Sequence, residues 1–64
     1  MSDVVDRLLL TPVEAAQALG IGRTKVYELM AGDELRSVKI GTARRIPAAA
    51  LAEFVARLTT EQAA

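Results

Sequence analysis

The chain has 64 residues, of which 52% are hydrophobic, and its formal net charge is +0. It contains no cysteine and no histidine, which excludes disulfide frameworks and thiolate or imidazole metal sites and removes the commonest general base. This length supports one domain with a small aliphatic core. Since no apolar run approaches the roughly 20 residues of a membrane span, we expect a cytoplasmic protein with no membrane association. We also expect no cofactor.

Three segments are expected along the chain. Residues 1–7 are polar and lack a clear period, which predicts a flexible N-terminal arm. Residues 8–58 contain all the periodic segments and are predicted to form the folded domain. Residues 59–64 are predicted to be a frayed C-terminal tail.

A first helix is predicted to begin after Thr11. A threonine N-cap, Pro12 in the first turn and Glu14 three residues after the cap match the capping-box pattern. Gly20 is expected to end the helix in the left-handed conformation that glycine tolerates. The residues that recur at helical spacing, and so predict its buried face, are Val13, Ala16 and Leu19.

A second helix follows after a very short connection. Ile21 is predicted to be the buried plug of the turn, and Gly22 the N-cap of the second helix. Gly32-Asp33 is expected to end it. The apolar stripe of this helix consists of Val26, Leu29 and Met30. Two short helices joined by a tight glycine-containing turn are typical of the helix-turn-helix motif, whose second (recognition) helix enters the major groove of DNA.

The segment from Leu35 to Pro47 predicts a β-hairpin, which we call the wing. Val38 and Ile40 alternate with polar residues, which predicts a strand with one buried face. Gly41-Thr42 is the expected turn. A last helix is predicted over residues 47–58, with an apolar face formed by Leu51, Phe54, Val55 and Leu58. The predicted fold is therefore small α+β, a winged helix-turn-helix in the order helix, helix, β-hairpin, helix.

Charge is unevenly distributed despite the neutral sum. Residues 23–45 carry six basic and three acidic side chains, a local net charge of +3, and nucleic-acid binding depends on the local field. The candidate DNA contacts on the recognition helix are Arg23, Thr24, Lys25, Tyr27 and Glu28. The candidate contacts on the wing are Lys39, Thr42, Arg44 and Arg45.

Each candidate side chain suits a particular DNA contact, and each also has an explanation that involves no DNA. Arg23 suits a bidentate contact with guanine or a phosphate contact. Glu28 disfavours phosphate unless it accepts a hydrogen bond from cytosine. The alternative for each basic residue is an ordinary solvated charge, and the alternative for Tyr27 is partial packing against the core.

Enzyme activity is not expected. Gly20-Ile21-Gly22 lacks the spacing and the preceding strand of a phosphate-binding loop. Thr11 and Thr24 have no histidine to activate them, and Glu14 is explained as a capping residue. We therefore predict no catalytic residues and no metal site.

A set of positions within residues 8–58 carries a family resemblance: Leu10-Thr11, Glu14-Ala15-Ala16, Leu19-Gly20-Ile21, Thr24, Val26-Tyr27, Leu29, Gly32, Leu35, Val38-Lys39-Ile40-Gly41, Arg44-Arg45-Ile46-Pro47 and Leu51. These positions resemble the excisionase-type helix-turn-helix proteins, small relatives of the MerR DNA-binding domain. The resemblance implies double-stranded DNA binding, with the recognition helix in the major groove and the wing on the adjacent minor groove. The residues it marks are Arg23, Thr24, Tyr27, Arg44 and Arg45. Gly22 departs from the serine common at its position.

The resemblance leaves two roles open. One is a phage or mobile-element excisionase, a recombination directionality factor that bends attachment-site DNA for a cognate integrase; the short length favours it. The other is a stand-alone transcription regulator. Both roles imply a monomer in solution that self-associates head-to-tail on direct repeats of DNA. A third alternative is a protein-interaction module that uses the last helix or the arm from Val4 to Leu10.

Overall fold

A computed structural model of the protein describes residues 7–63. Its elements, in chain order, are β1 (Leu9–Leu10), α1 (Pro12–Leu19), α2 (Arg23–Ala31), β2 (Val38–Ile40), β3 (Ala43–Pro47) and α3 (Ala48–Ala63). The prediction of a small α+β winged helix-turn-helix fold is confirmed, with one strand more than the sequence indicated. The predicted flexible arm lies outside the described residues except for Arg7.

The additional strand, β1, ties the start of the domain to the wing. The sheet is antiparallel with the order β1-β3-β2. Leu9 pairs with Pro47 and Leu10 with Ile46, and the backbone N–H of Ala48 donates to the carbonyl of Leu8 at 2.8 Å. The returning strand of the wing is therefore held on one edge by β2 and on the other by β1.

The helix α1 begins and ends as predicted. The Glu14 N–H donates to the Thr11 hydroxyl at 3.1 Å, and the Thr11 N–H donates to the Glu14 carboxylate at 2.9 Å, which completes the capping box. Gly20 has a φ of 73° in the left-handed region. The next N–H, that of Ile21, donates to the Ala16 carbonyl at 3.0 Å, so the chain turns sharply into α2.

The packing between α1 and α2 differs from the prediction. Ile21 is 37% exposed and Val13 is 42% exposed, so Ile21 is not a buried plug of the turn and Val13 is not on the buried face of α1. Ala16 is buried as predicted, Ala15 is buried in place of Val13, and Leu19 is half-buried against the core. The small side chains of Ala15 and Ala16 let α1 approach both α2 and β3, and Val26 of α2 is fully buried in the core.

The core lies between the helices and the inner face of β3. Its buried residues are Leu10, Ala15, Ala16, Val26, Leu29, Met30, Leu35, Ile46, Ala50, Leu51 and Phe54. The predicted stripe of α2 is confirmed. Val55 is 45% exposed, so the buried face of α3 is narrower than its apolar pattern predicted.

The strand β2 contributes nothing to the core. Val38 is 39% exposed and Ile40 is 56% exposed, so the prediction that these residues form a buried face is wrong. Ile46 on β3 faces the helices and is fully buried, whereas Val38 and Ile40 lie on the opposite face of the hairpin. Alternation along β2 then places Lys39 on the same face as Ile46.

The last helix is longer than predicted. α3 continues to Ala63, so the predicted frayed tail of residues 59–64 is helical as far as the described chain extends. The apolar period ends at Leu58, yet no glycine or proline follows it. The Thr59 hydroxyl also donates to the Val55 carbonyl at 2.8 Å. Among residues 7–63, no helix is both long enough and apolar enough to cross a membrane.

Candidate nucleic-acid interface

The outer face of α2 is set by its buried stripe. Because Val26, Leu29 and Met30 face the core, helical spacing turns Thr24, Tyr27 and Glu28 outward. All the predicted recognition-helix residues are exposed. Tyr27 retains 51% exposure, so its ring lies outside the core.

Lys25 and Glu28 are engaged with each other. Lys25 Nζ lies 3.6 Å from Glu28 Oε1. Lys25 also lines a depression between α2 and α3 together with Leu29 and Phe54, so it lies on the flank of α2 near α3. Because an exposed ion pair of this kind contributes little, it can open when a stronger partner is available.

The inner face of the wing carries a pair of like charges. Lys39 on β2 lies directly opposite Arg44 on β3. Neither side chain forms an ion pair with any acidic residue of the described chain, residues 7–63. Like charges at opposed positions destabilise a sheet, so this pair costs free energy in the isolated protein. A bound polyanion relieves that repulsion.

Arg44 brings the wing close to the recognition helix. Tyr27, Met30, Ala31 and Arg44 line one concave surface between α2 and β3, with a volume of about 310 Å³. We call it the Tyr27–Arg44 notch. Two residues that the sequence suggested separately as DNA contacts are therefore brought together by the fold.

Arg45 faces the other way. It is opposite Val38, on the outer face of the hairpin, and its guanidinium donates to the Arg44 carbonyl at 3.0 Å. The prediction named Arg44 and Arg45 together as wing contacts, and Gly41 and Thr42 form the turn as predicted. Because consecutive residues of a strand point to opposite faces, the two arginines are not equivalent.

Arg45 instead contributes to the field at the start of α1. The hydrogen bond from the Thr11 backbone N–H lowers the pKa of Glu14 below its ordinary value, and the charges of Arg7 and Arg45 lower this pKa further, against a smaller opposing effect of desolvation. Arg7 Nη1 lies 2.8 Å from Glu14 Oε2. Glu14, in the first turn of α1, therefore interacts electrostatically with Arg7 before the helix and with Arg45 on β3.

One residue that contacts the candidate interface, Ser37, was not among the residues predicted from the sequence. The Arg44 guanidinium donates to the Ser37 hydroxyl at 3.2 Å. Ser37 precedes Lys39 by two positions, and alternation places both on the inner face of the wing. The two-residue turn at Gly41-Thr42 places Lys39 opposite Arg44, so the signal that could have found Ser37 was present in the register of the predicted hairpin.

A helix pair joined by a tight turn, with a basic β-hairpin folded against it, defines a winged helix-turn-helix domain, a class that binds DNA. A family model described as "Helix-turn-helix domain" matches residues 9–59, and together with the relatives below it shows that the chain belongs to the excisionase-type helix-turn-helix family.

Two curated relatives match most of this chain. The chain is 52% identical over 59 residues to a "Probable excisionase" of Saccharopolyspora erythraea, and the match covers 92% of this chain and 60% of that relative. It is 42% identical over 55 residues to an "Excisionase" of Streptomyces ambofaciens, covering 86% of this chain and 87% of that relative. This chain therefore spans less than two thirds of the first relative's length. No solved structure matches the chain significantly.

Proposed function

We propose that this protein is an excisionase that binds duplex DNA at a recombination attachment site and directs a cognate integrase toward excision. The names of the two relatives support the recombination role. The observation that supports DNA binding is the pair Lys39 and Arg44 on the inner face of the wing, beside the exposed side of α2; within residues 7–63 neither forms an ion pair. The protein acts by binding and bending DNA and has no catalytic role.

The recognition helix enters the major groove by its N-terminal half. Arg23 and Thr24 lie in the first turn, where the free backbone N–H groups and the helix dipole favour nearby phosphates. Arg23 reads a guanine edge, and Thr24 contacts a phosphate or a thymine methyl group. Glu28 follows on the same face and accepts a hydrogen bond from cytosine, leaving Lys25 free to reach the backbone.

The wing follows the DNA backbone toward the adjacent minor groove. Lys39 and Arg44 supply its inner charges, and Thr42 lies at the exposed tip, where Gly41 keeps the backbone narrow. Arg45 lies on the outer face, so it contributes to the general positive field more than to a directed contact. This arrangement makes the wing a source of affinity and the recognition helix a source of sequence preference.

Several copies act together on the attachment site. The protein is a monomer in solution and associates head-to-tail along direct repeats, bending the DNA so that the integrase, its protein partner, can assemble. This part of the proposal is supported by the resemblance to the excisionase family and by the relatives' names. The site of action is the DNA in the cytoplasm.

The DNA-binding step is tested with a duplex from the region beside the protein's own gene and a random duplex of equal length. We expect salt-sensitive binding, and we expect Lys39→Ala/Arg44→Ala to weaken it and to reduce the slope of log K against log salt by about 2. The matched control is Arg36→Ala, because Arg36 is exposed and pairs with Glu53 at 3.5 Å. No binding by a folded protein at low salt would overturn the proposal.

The recombination step is tested by an excision assay with the integrase encoded nearby. We expect the wild-type protein to stimulate excision and the Lys39→Ala/Arg44→Ala variant to fail. A protein that binds the site, leaves excision unchanged and alters transcription from the adjacent promoter would instead be a regulator. A protein that binds an integrase or another protein but no DNA would be an interaction module.

A further inference from the structure

The Tyr27–Arg44 notch joins the two DNA-binding elements at one point. Its walls come from α2 and from β3, and its lining combines a phenol, a guanidinium and two apolar side chains, those of Met30 and Ala31. Met30 is 7% exposed and belongs to the core, so the floor of the notch is fixed. Arg44 and Tyr27 are both exposed and can reach a ligand placed in the opening.

Arg44 does not extend freely into solvent. Its Nη1 donates to the Ser37 hydroxyl at 3.2 Å, and Ser37 is half-buried at the start of the wing. An arginine side chain has many rotamers, and an existing hydrogen bond reduces the conformational freedom that it loses on binding. The remaining N–H groups of the guanidinium stay available to an anion.

We propose that the notch binds one phosphate of the DNA backbone, shared between Tyr27 and Arg44, and that Ser37 is the positioning residue that holds Arg44 for this contact. The proposal rests on the proposed DNA binding and adds to it a specific site. A guanidinium presents parallel donors that match a phosphate, and a tyrosine hydroxyl donates one further hydrogen bond. Lys39, opposite Arg44, adds positive potential.

The shared phosphate fixes the recognition helix and the wing to the same point on the DNA. Phosphate contacts set the register and orientation of a protein on the duplex. Because Tyr27 is on α2 and Arg44 is on β3, loss of either contact lets the wing shift relative to the helix in the groove.

A double-mutant cycle tests the positioning role. We expect Ser37→Ala to weaken duplex binding by about 3- to 10-fold, although it removes no charge. We expect it to have no further effect when Arg44 is already alanine, and we expect Ser37→Thr to retain most of the affinity because it keeps the hydroxyl. The control is Thr60→Ala, which removes an exposed hydroxyl from α3 and should leave binding unchanged.

A set of duplexes, each with one neutral methylphosphonate, tests the shared phosphate. Among the positions that weaken binding by the wild-type protein, one should have no effect on Arg44→Ala and a reduced effect on Tyr27→Phe. Circular dichroism of each variant confirms that it is folded.

The outcomes separate this inference from the proposed function. Additive losses for Ser37→Ala and Arg44→Ala would overturn the positioning role while DNA binding stands. If Tyr27→Phe and Arg44→Ala lose their sensitivity to methylphosphonates at two different positions, the two residues do not share one phosphate and the shared site is overturned. Failure of the folded wild-type protein to bind any duplex would overturn the proposed function itself.

Discussion

The recognition helix and the wing together form the candidate DNA interface but are held in place differently. α2 inserts Val26, Leu29 and Met30 into the core, whereas β2 has no buried residue and β3 inserts Ile46. The orientation of α2 therefore follows from side-chain packing. The wing is held by the backbone pairing of β3 with β1 and by the burial of Ile46, whereas the bond between Ser37 and Arg44 lies within the wing itself.

The largest expected effect is a difference in stability loss between a residue of the core and a residue of the exposed strand β2. Phe54 is 6% exposed in the core, so we expect Phe54→Ala to lower the free energy of unfolding by about 3–5 kcal/mol. Ile40 on the wing is 56% exposed, and Ile40→Ala should change it by no more than about 0.5 kcal/mol. Chemical denaturation measures both. Similar losses for the two variants would mean that β2 is packed against the core.

The next effect separates base reading from backbone binding. We expect Arg23→Ala to cost about 1–3 kcal/mol of binding free energy and to relax the preference at one base pair. We expect Arg44→Ala to weaken binding to all sequences alike. Titrations of the native site, single-base variants and random DNA measure the difference. Equal losses for Arg23→Ala on native and random DNA would remove Arg23 from base reading.

Substitutions at the two glycines with positive φ should have a smaller effect on stability. Gly20 and Gly41 have φ values of 73° and 62°, and a side chain at either would meet no atom within 4 Å. An alanine therefore adds only backbone strain, about 1–2 kcal/mol. Gly20→Ala should reduce global stability by this amount.

Gly41→Ala should reduce global stability less, because the wing can open locally to relieve the strain. Its effect should be seen as faster amide hydrogen exchange in β2, with little change in α2. An equal global loss for both variants would show that the wing unfolds only with the whole domain.

The smallest effect concerns the electrostatic link at Glu14. Because its folded pKa lies below the ordinary value, Glu14 contributes stability that is present above the unfolded pKa, about 4.3, and lost as pH falls through the folded pKa. We expect the stability of the wild type to fall more steeply over this interval than that of Glu14→Gln. Denaturation at a series of pH values measures the difference, and parallel curves would contradict it.

Structural features that depend on neighbouring residues could be predicted from the sequence. The capping box of Thr11 and Glu14, the left-handed Gly20 and the stripe of α2 depend on residues within a few positions of one another, and the structure confirms them. The strand β1 could not be predicted in this way. Leu9 finds its partner at Pro47, far along the chain, and two residues show no alternation.

Burial was the least predictable property. Alternation at Val38 and Ile40 correctly predicted a strand, but alternation does not say whether another element covers the apolar face. The α3 boundary was missed because the apolar period stops at Leu58 while the backbone continues to Ala63.

The candidate site was predictable as a set of side chains, and its geometry was not. The separation of Arg44 from Arg45 and the bond from Arg44 to Ser37 follow from strand register. The structure adds to the sequence that Tyr27 and Arg44 line the same notch.

The exposed strand β2 also bears on self-association of the protein. It lies at an edge of the sheet, and its two exposed apolar residues, Val38 and Ile40, flank Lys39. Short edge strands that carry a lysine resist pairing with strands of other molecules. Lys39 therefore protects the edge from aggregation in addition to its proposed contact with DNA. Variants that neutralise this charge to study DNA binding will also remove a barrier to edge-to-edge assembly between protein molecules.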